Sequence, residues 1–99
     1  MYRPGSRPPV QWLRTGQEWP EGELRSDAPV EAIRAQHVVR ALAGAMAERN
    51  LSGRQAAGIC GLDQRTVSRL LRGASYADIS TLARLEAGLG VPLWPGHSG

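Results

Sequence analysis

Between Val30 and Met46, apolar residues return at every third or fourth position: Val30, Ile33, Val38, Ala41, Leu42, Ala45 and Met46, with His37 on the same side. Such spacing marks one face of an α-helix. The pattern predicts a long first helix beginning near Asp27, which can cap it, with Pro29 in the first turn, where a missing N–H costs nothing. Asn50, tolerant of left-handed geometry, is the expected stop. Gly44 weakens the middle slightly.

Two shorter helices are predicted within residues 51–73, LSGRQAAGICGLDQRTVSRLLRG. Ser52 and Gln55 stand three apart, the spacing at which each side chain satisfies the other's backbone N–H, so a helix should open at Gly53. Ala56, Ala57 and Cys60 share one side and are small enough for a partner helix to approach closely. Gly61 is the expected left-handed stop. Asp63 then caps a helix from Gln64 to Arg72 that ends at Gly73, with Val67, Leu70 and Leu71 facing inward. A last helix, capped by Asp78, should bury Ile79, Leu82, Leu85 and Leu89 and stop at Gly90. Val91, Leu93 and Trp94 are expected to fold back on the first helix, while Pro92 and Pro95 prevent further helix.

The expected organisation is therefore an arm over residues 1–28, a folded domain over 29–95 and a disordered tail over 96–99. Residues 1–9, MYRPGSRPP, cannot bury apolar surface and read as a mobile arm; a sharper reading sets Arg3 and Arg7 in a DNA minor groove. Val10, Trp12, Leu13, Trp19 and Leu24 are too apolar for a linker, although Gly16, Pro20 and Gly22 break the stretch. A short strand or turn over 10–14 fits it. The tryptophans should pack first on the domain itself and next on a second subunit or protein partner.

One face of the second short helix carries candidate chemistry. Gln64, Arg65, Ser68 and Arg69 lie opposite its apolar stripe, with Arg72 in the last turn. Arg pairs bidentately with guanine, Gln with adenine, and Ser with either. All twelve basic residues of the chain are Arg, a bias that by itself says little. Their placement says more: Arg49, Arg54, Arg65, Arg69 and Arg72 face Asp63 alone between positions 49 and 72, whereas residues 1–29 balance four Arg with four acids. A basic patch on this motif raises the local concentration of a polyanion.

Leu51, Ser52, Ala56, Ala57, Gly61, Val67, Leu70 and Gly73, followed by Leu82, Leu85, Leu89, Gly90 and Val91, resemble the lambda repressor and Cro-type helix-turn-helix domain, the XRE family. The resemblance covers about half of the chain. It implies an all-α, compact four- to five-helix bundle with an irregular N-terminal arm, and a second motif helix lying in the major groove. By position it makes Gln64, Arg65, Ser68 and Arg69 the base readers, and Ser52, Arg54, Thr66, Arg72 and Tyr76 the phosphate contacts. Gly53 stands where relatives often place a phosphate-holding Gln, which shifts that contact to Ser52, Arg54 or backbone amides. Ala56 replaces a usual Leu.

Other chemistry is poorly supported. Cys60 is the single cysteine, so no internal disulfide forms, and it reads as a small core residue. His37, Cys60 and His97 lack metal-ligand spacing, and no catalytic constellation or cofactor motif is present. No apolar run is long enough for a bilayer and no signal pattern opens the chain, so a cytoplasmic location without membrane contact is expected. These readings converge on a sequence-specific, repressor-like regulator of transcription, acting as a homodimer on a two-fold double-stranded DNA site. The alternative is a protein-interaction module or antitoxin subunit docking a partner through the Trp-containing N-terminal segment.

Overall fold

A computed structural model describes residues 7–94, which form four helices: α1 (Val30–Glu48), α2 (Gly53–Cys60), α3 (Gln64–Leu71) and α4 (Ile79–Leu89). A 3-10 turn, Pro9–Trp12, precedes them. The local signals act as expected at most ends. Ser52 Oγ accepts from the Gln55 N–H at 3.1 Å while Gln55 Oε1 accepts from the Ser52 N–H at 2.8 Å, completing the capping box of α2. Asp63 caps α3 through the Arg65 N–H at 2.8 Å, and Asp78 caps α4 through the Thr81 N–H at 2.7 Å. Gly61, Gly90 and Asn50 all hold positive φ where left-handed stops were expected. The start of α1 differs: Pro29 itself is the N-cap, because the Asp27 carboxylate is engaged by Arg25 at 2.7 Å.

The core gathers Val38, Val39, Leu42 and Met46 of α1, Ala56 and Cys60 of α2, Leu70 of α3, Leu85 and Leu89 of α4, and Leu93. The small side of α2 meets α4: a Cβ placed on Gly88 would stand 2.6 Å from Cys60 Sγ. Burial holds the Cys60 thiol above its ordinary pKa, partly offset by Arg49. The C-terminal segment folds back as expected at Leu93, which is buried in the core, and at Val91, which packs against it, whereas Trp94, also expected to close the core, stays 50% exposed. Glu86 Oε2 accepts the N–H groups of Leu93 at 2.8 Å and Trp94 at 3.0 Å, and the Arg34 guanidinium of α1 lies over the Trp94 ring.

Residues 9–25 form a strap. Leu13 bridges Leu24, the Arg14 N–H donates to Glu23 O, and the Arg25 N–H donates to Trp12 O. Its loop turns inward onto α1, where Gln36 Nε2 donates to the Pro20 and Gly22 carbonyls and Arg40 donates to those of Pro20 and Glu21. Trp19 packs against the core, and Pro9 is buried. Trp12 is half-buried beneath the guanidinium groups of Arg7 and Arg25.

The strap covers a second side of α1. Ala32, Gln36 and Val39 are buried beside it, whereas on the predicted apolar side Val38, Leu42, Ala45 and Met46 are buried but Val30, 63% exposed, Ile33, 51% exposed, and His37 lie open. Ile79, likewise expected inside, is 86% exposed, since it opens α4 before the helix reaches the core at Leu85. Among the described residues no helix is long and apolar enough to cross a membrane, and no cluster of His, Cys, Asp and Glu suits a metal.

Candidate nucleic-acid interface

The geometry of α3 begins with its cap. By tying the first turn at Arg65, Asp63 orients a helix whose Val67 and Leu70 are buried. Anchoring that stripe turns the rest of the helix outward. Gln64, Arg65, Arg69 and Arg72 are accordingly exposed, and Thr66 and Ser68 half-buried. Gln64 and Ser68, like Arg65 and Arg69, are four residues apart and stack on the same side. Asp63, Gln64, Arg65 and Ser68 line a shallow depression at the head of the helix. The four expected base readers therefore share one open surface.

Arg54 of α2 reaches this head, its Nε donating to Gln64 Oε1 at 3.4 Å. The contact directs the Gln64 amide oxygen toward α2. Arg72 Nε donates to the Ser68 carbonyl at 3.4 Å, which lays that side chain along α3.

Charge reinforces the shape. Among the described residues the ion pairs are Arg14–Glu23 and Arg25–Asp27, both outside this surface. Arg54, Arg65, Arg69 and Arg72 thus outnumber the single carboxylate here, Asp63, which caps the positive end of α3 and forms an ion pair with none of them. Such an array suits a polyanion whose edges carry hydrogen-bond acceptors.

The other expected phosphate contacts are placed differently. Ser52 is exposed beside α2, its oxygen accepting the Gln55 N–H. Tyr76 is half-buried, and its hydroxyl donates to the Arg7 carbonyl at 3.0 Å. A phosphate there would compete with that bond. Arg3 lies outside the described residues.

One set of contacts just beyond the end of this helix was not foreseen. Gly73, expected only as a stop, is buried at φ 71°, and its carbonyl accepts the Val10 N–H at 3.0 Å. A Cβ there would fall 2.8 Å from the Trp19 ring and 2.9 Å from Val10 Cβ. The sequence signal was the cluster of apolar residues amid Gly and Pro, but nothing local named its destination.

A family profile described as Helix-turn-helix matches residues 42–93, slightly more than half of the chain. No curated protein and no solved structure matches the chain significantly.

Proposed function

Because the chain belongs to the Cro/C1-type helix-turn-helix family, and so is in broad terms a DNA-binding regulator, we propose that it is a sequence-specific, repressor-like transcriptional regulator reading the major groove with α3. The observation that carries this reading is the pair Arg65 and Arg69, one turn apart, exposed, and without a carboxylate partner among the described residues. Gln64 and Ser68 read bases beside them, while Ser52, Arg54, Thr66 and Arg72 hold phosphates, and Tyr76 holds one in exchange for its bond to the Arg7 carbonyl. Base contacts specify and phosphate contacts position.

An eight-residue helix covers only a few base pairs, so two copies on a two-fold site supply the discrimination that one lacks. The chain acts in the cytoplasm as a homodimer, with a binding role and no catalytic one. The competing reading, a module that captures a protein through its tryptophans, is disfavoured because Trp19 already packs on the domain's own core.

Selection of bound duplexes from a random pool, followed by titration of variants, tests the proposal. Arg65→Ala or Arg69→Ala should weaken the selected site by about 1–3 kcal/mol and relax preference at one position. Arg72→Ala should weaken all sequences alike and flatten the salt dependence, whereas Arg54→Ala should do so and also alter preference at the base read by Gln64, whose amide Arg54 orients. Equal losses on selected and random DNA for Arg65 and Arg69 would demote them to phosphate contacts.

A further inference from the structure

We infer that the strap is a splint for the recognition helix, with Trp19 and Val10 as positioning residues that set the angle at which α3 meets DNA. The inference rests on the reading of α3 as the base-reading helix, and it concerns a segment that precedes the family match at residues 42–93.

The grip is at the C-terminal end of α3. Gly73 lacks a Cβ, so the Trp19 ring and Val10 close on its backbone, and the Val10 N–H fixes its carbonyl at 3.0 Å. The strap is in turn fastened to α1 by Gln36 and Arg40 through the carbonyls of Pro20, Glu21 and Gly22. The end of α3 is thereby tied to α1 by a route that bypasses α2.

Leverage makes the tie matter. The eight residues of α3 rise roughly 12 Å, so a swing of about 10° about its N-terminal joint with α2 moves the gripped end by roughly 2 Å. Binding groups need placement within about 0.5 Å. Arg69 and Arg72 stand in the last turn beside the grip, where a loosened splint displaces them most, while Gln64 is held at the opposite end by Arg54. Ring shape is what the grip uses, since the buried Trp19 Nε1 makes no hydrogen bond among the described residues.

The test uses the full chain with two duplexes of equal length, one recovered by selection with the wild type and one of random sequence. Trp19→Ala should lower the ratio of selected to random affinity about tenfold, the equivalent of losing one good base contact, while binding to the random duplex stays within about twofold. Trp19→Phe, which keeps a ring, should restore the ratio. Amide exchange in the free protein should quicken at Leu70 to Gly73 of Trp19→Ala and stay unchanged at Leu85 to Leu89. A folded Trp19→Ala with the wild-type ratio overturns the splint alone, whereas a wild type that enriches no sequence overturns the reading beneath it. Should Trp19→Ala fail to fold, Gln36→Leu decides: this change removes the buried fastening of the strap to α1 and should lower the ratio, and an unchanged ratio overturns the inference.

Discussion

Replacing Gln36 with Leu isolates the fastening of the strap from the shape of the core. The side chain is 8% exposed, and its amide nitrogen donates to two carbonyls, those of Pro20 and Gly22. Leu has a similar volume, so no large cavity opens. Pro20 O keeps its second donor, Arg40 Nε at 2.9 Å. Gly22 O is left in a buried position without this partner, which costs about 1–3 kcal/mol. The added apolar contact returns part of that, so the net loss should be about 1–2 kcal/mol. For a domain of this size the thermal midpoint falls by roughly 4–8 °C per kcal/mol. Urea unfolding followed by circular dichroism should show the lower midpoint with an unchanged slope. Arg40→Ala, at an exposed position, should stay within about 0.5 kcal/mol of wild type. Because both side chains serve Pro20 O, the double variant should lose more than the sum of the two. A Gln36→Leu loss no greater than that of Arg40→Ala would refute the reasoning, since water would then be satisfying the Gly22 carbonyl.

Gly88→Ala should destabilise by about 1–3 kcal/mol in a thermal melt, because the new Cβ meets Cys60. Cys60→Ala should rescue it only partly, as the Cys60 Cα would still lie 2.9 Å away. Glu86 supplies the pH dependence: the N–H groups of Trp94 and then Leu93 hold its carboxyl below the ordinary value of 4.5. A depressed folded-state pKa lends stability that is fully present above 4.5 and is lost as pH falls through the lowered value. The advantage of wild type over Glu86→Gln should therefore be greatest near neutrality and vanish in acid, and an advantage that grows on acidification would contradict this account.

Much of the fold was legible because its signals are local. Ser52 with Gln55, Asp63 with Arg65 and Asp78 with Thr81 act within a single turn, and Gly61 and Gly90 stop helices through their own backbone freedom. The outward face of α3 was readable for the same reason, since burying Val67 and Leu70 leaves Gln64, Arg65 and Arg69 only the solvent side.

Tertiary structure decided what a helical period leaves open. An amphipathic pattern on α1 named one apolar face, which is buried at Val38, Leu42 and Met46 but open at Val30 and Ile33, and the strap packs on a second side, burying Gln36. Its polar grip on Gln36 depends on carbonyls from a distant stretch of chain, which no periodicity encodes. The joint of Val10, Trp19 and Gly73 is of the same kind: each residue has an ordinary local meaning, and their shared one arises only where two remote backbones come within contact distance.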